Sequence, residues 1–288
     1  MSPPLLEVAG LTLAYPLRAG WRARARGGVP AIEQVAFTLA HGETLALVGE
    51  SGSGKTTVAR ALLRLVEPSA GRVLYRRAST AAPLDVCALG RGALRAVRRE
   101  LALVSQDPYQ SLNPRLPVGE AVAEPLRVHG LARGRAARVR AAALFERVGL
   151  DPSALRRFPH EFSGGQRQRI AIARALALAP RLILLDEAVS ALDVSIRAQI
   201  LNLLLDLQQE LGLSYLFITH DLALARVLAA RVAVMEQGRI VECGTTAMVL
   251  AQPEHPATRR LLACVLSGDP RRRRTPATLA PGQRPAGG

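Results

Sequence analysis

Apolar residues recur with two periods along this 288-residue chain, and the switches between them outline its architecture. Residues 5–15, LLEVAGLTLAY, alternate and predict a strand, as do residues 32–39. Between them, residues 17–30 are rich in Arg and Gly and read as a loop. TLALVG at 44–49 is apolar on both faces, the mark of a strand in a covered parallel sheet, and a helix is expected from Lys55 to Val66. GRVLY at 71–75 predicts a further strand, residues 76–92 look irregular, and ELALVSQ at 100–106 is strand-like. From 118 to 179 the spacing becomes three-to-four, which predicts helices. RLILLDE (181–187) and LSYLFITH (213–220) return to the buried-strand pattern on either side of an amphipathic helix at 194–211. ALARVLAAR (223–231) reads as a helix, and RVAVMEQGRIVECG as two strands around a Gln237-Gly238 turn. After about residue 267 the chain is Pro, Gly and Arg, which predicts a disordered tail, 267–288. Strands alternating with helices, interrupted by a helical block, predict an α/β core with an inserted all-helical subdomain.

One βα junction carries chemistry. GESGSGKT fits G-x-x-x-x-G-K-S/T through Gly49, Gly54, Lys55 and Thr56, with an apolar strand before it and a helix after it. Glycines let such a loop curl so that the backbone N–H groups of Gly49, Glu50, Ser51, Gly52, Ser53, Gly54, Lys55, Thr56 and Thr57 surround phosphates. The lysine then reaches the β and γ phosphates, and the Thr56 hydroxyl suits Mg²⁺. The pattern points to a nucleoside triphosphate without saying which machine uses it.

Three other strand ends are polar. Asp186 and Glu187 close LILLDE, where strand ends of a parallel sheet converge on ligands. Asp186 suits a Mg²⁺ contact, and Glu187 suits a general base for the attacking water. His220 closes LFITHD, where it can bond the γ phosphate and orient Glu187. Gln106, after LALVS, is placed to complete the Mg²⁺ and water shell or to be an ordinary strand-end glutamine. Tyr15 is placed to stack on a base or to be a half-buried strand residue, with Trp21 a weaker competitor for stacking. A second helix start, FSGGQ (162–166), has Ser163 as its N-cap and presents another positive dipole end. A nucleotide already served by the helix after Gly54 leaves that second tip without a ligand of its own.

Composition changes this picture little. The formal net charge is +15, which by itself suggests nucleic acid or an acidic membrane. Yet of 38 basic residues only Lys55 is a lysine, and alanine is abundant throughout, the look of a composition bias rather than of a dedicated anion surface. That the lone lysine sits in the phosphate loop fits a compact ammonium that a planar fork cannot replace. Cys87, Cys243 and Cys264 lie far apart, show no zinc spacing, and cannot supply the four thiolates of an iron–sulfur cluster. MSPPLLEVAG lacks the features of a signal peptide, and no apolar run approaches the ~18 residues of a spanning helix, so a cytosolic protein is expected.

Taken in order, these pieces resemble the ATP-binding cassette (ABC) family over residues ~5–265. GESGSGKT resembles Walker A, Gln106 the Q-loop, LILLDE Walker B, SALD (190–193) the D-loop, and His220 the H-loop; FSGGQ resembles the signature motif, with Phe162 for the commoner Leu. The resemblance implies a P-loop NTPase core, with a RecA-like sheet plus N-terminal antiparallel strands, over residues 1–266. The helical subdomain is then expected at about 107–179. It implies an ATPase using ATP and Mg²⁺, with catalytic Glu187, His220 and Gln106 and metal contacts from Thr56, Gln106 and Asp186. It further implies that two cassettes pack head to tail, so that Ser163, Gly164, Gly165 and Gln166 serve ATP bound on the partner, with Asp193 at the seam.

SQDPYQSLNPR after Gln106, the stretch from SALD to FITHDL, and PEHPATRRLL are similar to importers of dipeptides, oligopeptides and nickel, most of all to their F-type ATPase subunit. Ala257 stands where that group usually has Tyr, and Ala188-Val189 where Pro-Thr is commoner. The implied partners are a second ATPase subunit (a copy or a D-type relative), two permease subunits touching segment 106–117, and an extracytoplasmic solute-binding protein. The implied location is the cytoplasmic face of the membrane, held by the permease, with no nucleic acid as partner. A cassette acting on nucleic acid is the competing expectation, motivated by the charge and the Arg18–Arg26 segment.

Overall fold

The computed structural model describes residues 3–15, 29–78, 80–106 and 112–266. The Arg- and Gly-rich loop up to residue 28 with Trp21, part of the stretch after Gln106, and the 267–288 tail lie outside the described residues.

Among the described residues ten strands form two sheets. They are β1 (Leu6–Tyr15), β2 (Val29–Leu39), β3 (Thr44–Val48), β4 (Ala70–Tyr75), β5 (Leu84–Asp85), β6 (Leu101–Val104), β7 (Leu182–Asp186), β8 (Ser214–Thr219), β9 (Arg231–Glu236) and β10 (Arg239–Thr245). One sheet runs β2-β1-β4-β5 and is antiparallel throughout. The other runs β10-β9-β3-β8-β7-β6, parallel except for the hairpin that adds β10. The helices are α1 (Lys55–Leu62), α2 (Arg91–Val97), α3 (Val118–Val128), α4 (Gly134–Arg147), α5 (Gly164–Leu176), α6 (Val194–Leu211), α7 (Leu222–Leu228), α8 (Thr246–Ala251) and α9 (Pro256–Leu266).

The buried runs are apolar on both faces because both faces are covered. Ala46, Val48, Ile183, Leu185, Tyr215 and Phe217 face one core with Val122, Phe145 and Ile172 of the helical block. Their alternating neighbours Leu45, Leu47, Leu182, Leu184, Leu216 and Ile218 face a second core with α1, α2 and the antiparallel sheet. The mixed sheet is therefore covered on both faces, and α3, α4 and α5 lie in the chain between β6 and β7.

Three local expectations differ from the structure. The helix from Lys55 stops at Leu62, four residues short of Val66, because Arg64 takes a left-handed φ of 51°. Leu65 N–H donates to Arg60 O and Arg64 N–H to Ala61 O, the bonding of a Schellman stop, with an arginine where glycine is usual. Residues 76–92, read as irregular, hold β5, a short 3-10 turn and the start of α2. The helix read through Arg231 ends at Leu228: Ala229 is extended, and Arg231 already belongs to β9.

Candidate functional site

Register brings the polar strand ends to one level. Val48 pairs with Thr219, Ile218 with Asp186, and Leu185 with Val104. Gly49, Glu187, His220 and Gln106 therefore all follow the carboxyl ends of four adjacent parallel strands. There a cleft of about 530 Å³ opens, lined by Ser51, Gly52, Gly54, Lys55, Thr56, Thr57, Gln106 and Glu187.

The phosphate loop needs its glycines for two reasons. Gly52 and Gly54 have φ of 83° and 102°, a conformation costly for other residues. Gly49 is needed for closeness instead: a Cβ there would lie 2.2 Å from the Met235 carbonyl oxygen. Lys55 Nζ donates to Gly49 O and Glu50 O, both at 2.8 Å, and to Ser53 Oγ at 3.4 Å. The ammonium is thus held at the centre of its own loop. Burial pushes its pKa below the usual lysine value, an effect opposed by Glu187 and Asp186.

Thr56 Oγ1 donates to Asp186 Oδ1 at 3.0 Å, so the hydroxyl and carboxylate expected to share a metal already touch. Burial pushes the Asp186 carboxyl up, and nearby Glu187 adds to this; the Thr56 bond, Arg60 and Lys55 oppose it. One carboxylate beside one hydroxyl, with room for phosphate oxygens and water, is the hard oxygen set that suits Mg²⁺. Among the described residues there is no cluster of three or more His, Cys, Asp or Glu able to hold a metal by itself.

Glu187 sits at a φ of 49°, in the left-handed region where a glutamate is rare. Its N–H donates to Ile218 O, and its own carbonyl accepts from Ser190 N–H and, at 2.9 Å, Ser190 Oγ. Its carboxylate accepts from Gln106 Nε2 at 3.1 Å and lies 3.6 Å from His220 Nδ1. The structure thus gathers Gln106, Glu187 and His220 around one carboxylate.

The remaining candidates lie elsewhere. Tyr15 ends β1, is 40% exposed and does not line the cleft. Ser163 caps α5 through a capping box: Gln166 N–H donates to Ser163 Oγ at 3.3 Å and Ser163 N–H to Gln166 Oε1 at 3.0 Å. Ser163, Gly164 and Gln166 are exposed, and none of them lines the cleft. Gly165 is buried against α6, where a Cβ would lie 2.4 Å from Ile196 Cγ2, so only glycine fits. Asp193 is the exposed N-cap residue of α6, without a side-chain capping bond.

Four cleft residues went unread in the sequence: Pro30, Ala31, Gln237 and Gly238. Gly238 N–H donates to Ser53 O and its carbonyl accepts from Glu33 N–H, so the β9–β10 turn stitches β2 to the phosphate loop. The Gln237-Gly238 turn signal marked the hairpin but not its neighbour.

A strand, a glycine loop and a helix start, flanked by an acid-tipped strand, define a P-loop nucleotide-binding protein. The comparisons make this specific. The sequence profile of the ABC transporter family matches residues 32–190, and the chain belongs to that family. It is 54% identical to the glutathione import ATP-binding protein GsiA of Escherichia coli over 278 residues, 96% of this chain and 43% of that protein. The GsiA protein of Salmonella typhimurium is also 54% identical, over 94% of this chain and 42% of its own length. The chain therefore spans less than half the length of these relatives. Among solved structures, the dimeric post-hydrolysis state of the ATP-binding cassette MJ0796 bound to ADP and Pi superposes with a TM-score of 0.71 at 29% identity, covering 84% of this chain and 98% of that one. Clostridium perfringens cbiO1, part of the ABC transporter complex cbiONQ, superposes with a TM-score of 0.72 at 26% identity, covering 93% and 96%. The fold is that of an ABC ATPase cassette, and no helix among the described residues is long and apolar enough to cross a membrane.

Proposed function

We propose that this chain is the ATP-binding and ATP-hydrolysing subunit of an importer for glutathione or other short peptides. One observation carries the ATPase reading: the single carboxylate of Glu187 meets Gln106 and His220 at the rim of a cleft built on the phosphate loop. Lys55 exchanges its loop carbonyls for phosphate oxygens when a triphosphate fills the loop. Glu187 accepts the proton of the attacking water, Gln106 and His220 hold that carboxylate in line, and His220 also reaches the γ phosphate. Thr56, Asp186 and Gln106 would hold Mg²⁺, which would supply charge neutralisation for the phosphates. Tyr15 is assigned to the adenine.

The exposed tip of α5 is assigned to a nucleotide on a second ATPase subunit, with Asp193 at the seam. The cleft already has the N-terminus of α1, and one triphosphate leaves no room on the same side for a second helix start. Closure of such a pair around ATP, and its reopening after hydrolysis, would drive two permease subunits loaded by a solute-binding protein, with the cassette on the cytoplasmic face of the membrane. The peptide class rests on the GsiA relatives and on the importer-like stretches around Gln106 and His255.

Glu187→Gln tests the assignment. Phosphate release should fall by about a hundredfold or more, while calorimetry still shows ATP binding. Near-normal turnover would remove Glu187 from its role. In cells, the same variant should abolish uptake of labelled glutathione or a di- or tripeptide; loss of nickel uptake alone would move the cargo to the metal branch of the group.

A further inference from the structure

One arginine joins the two loops that flank the cleft, and no motif accounts for it. Arg197 lies in the first turns of α6, and its side chain reaches back over the segment that links Glu187 to Asp193. Nη2 donates to Ser190 O at 3.3 Å and to Leu192 O at 3.1 Å. Nη1 lies 3.8 Å from Oδ2 of Asp221, the residue after His220, and the two side chains are only 24% and 29% exposed. Asp221 is itself fixed. Its Oδ1 accepts from Ala223 N–H at 2.8 Å to cap α7, and its N–H donates to Thr219 Oγ1 at 3.0 Å. A single guanidinium thus spans the loop after β7, which carries Glu187, and the loop after β8, which carries His220.

A role in stability alone fits poorly. The Nε–H is buried and meets no acceptor among the described residues, and a buried donor left unpaired weakens the fold. What an arginine offers here is reach and planarity, since one rigid fork holds two carbonyls and a carboxylate in fixed relation. The turn it grips needs an external restraint, because Glu187 stands at a positive φ within it. The preceding residue, Ile196, fills the space left by Gly165 at the tip of α5. Consecutive side chains of α6 therefore brace the hydrolytic loops and the tip assigned to the partner's nucleotide.

We infer that Arg197 is a positioning residue for hydrolysis. It acts through the carbonyls of Ser190 and Leu192 and through Asp221, setting the spacing of Glu187 and His220 without touching nucleotide. The inference rests on the hydrolytic roles proposed above for those two residues.

Steady-state turnover and nucleotide binding of the full chain test it, under conditions in which the wild type hydrolyses ATP and with Glu187→Gln as control. Arg197→Ala should lower kcat about ten- to a hundredfold. KM and ATP affinity should stay within about twofold, because Lys55 and Thr56 are untouched. Asp221→Asn keeps a capping oxygen for α7, loses the charge, and should lower kcat in the same direction by less. The double variant should be no slower than Arg197→Ala, the non-additivity of a shared clamp. Unchanged kcat in both single variants, losses that multiply in the double variant, or a fall in ATP affinity that matches the fall in turnover would each overturn the proposal. If Arg197→Ala does not fold, Asp221→Asn decides alone, and wild-type kcat there is fatal. Full turnover in Glu187→Gln would instead remove the underlying reading, whatever the Arg197 variants do.

Discussion

The molecule has two helix starts suited to phosphate, and they are built in opposite ways. At the first, Gly54 opens α1 without a side-chain cap, and the buried Lys55 fills the loop. Its N–H groups face a cleft ringed by Thr56, Glu187 and Gln106. At the second, Ser163 and Gln166 cap each other's backbone N–H groups, and the tip stands exposed on the surface. The first is organised from within, by a charge enclosed in its own loop. The second is a finished helix start whose glycines serve two ends: Gly165 lets α6 approach through Ile196, and Gly164, with only an ordinary contact to Leu192, leaves the tip bare. A loop closed around its own buried charge and a capped tip bare on the surface are different objects, though both look like glycine next to a helix.

Substitutions at the two starts should separate them. The largest effect is expected at the first. Lys55→Ala removes a charged donor to two phosphates and should cost roughly ten- to a hundredfold in ATP affinity, measured by titration of the chain, with turnover falling at least as far. Retained affinity would break the contrast. At the second, Ser163→Ala should leave ATP affinity of the dilute chain unchanged while lowering turnover about tenfold in the active assembly; the lost cap should cost about 1 kcal/mol of stability in a denaturant titration. Loss of affinity in the dilute chain would mean that the tip serves its own nucleotide. The smallest effect sharpens the picture of the first start as a place that gives up stability for chemistry. Burial raises the Asp186 pKa, so its folded form favours the proton. That contribution is full below the unfolded carboxylate value and is lost as pH rises through the raised folded value. Asp186→Asn should therefore raise Tm slightly at neutral pH in a thermal melt, the gain shrinking towards acid.

The two starts also differ in how far they could be read in advance. The convergence of Gly49, Gln106, Glu187 and His220 was legible in apolar runs that end in polar residues, because a strand buried on both faces must lie in a covered parallel sheet; the strand order was not. The end of α1 was not legible: nothing in ALLRLVEPS announces that Arg64 will take the conformation usually left to glycine. α2 was hidden by Gly90 and Gly92, which read as loop although Gly90 is an extended N-cap. Pro30 and Ala31 enter the cleft from a strand remote in sequence, and Arg197 is one of many arginines until its fork is seen across two loops. Local periodicity carries no record of such meetings; they are set by the packing of layers.

The bond from Gly238 to Ser53 joins the β9–β10 hairpin to the phosphate loop, and the bond from Glu33 to the same glycine joins the hairpin to β2. The loop thus has an outrigger. Its far end rests on β2, the strand that also brings Pro30 and Ala31 to the cleft, so the phosphate loop and the antiparallel sheet are held to each other through backbone hydrogen bonds.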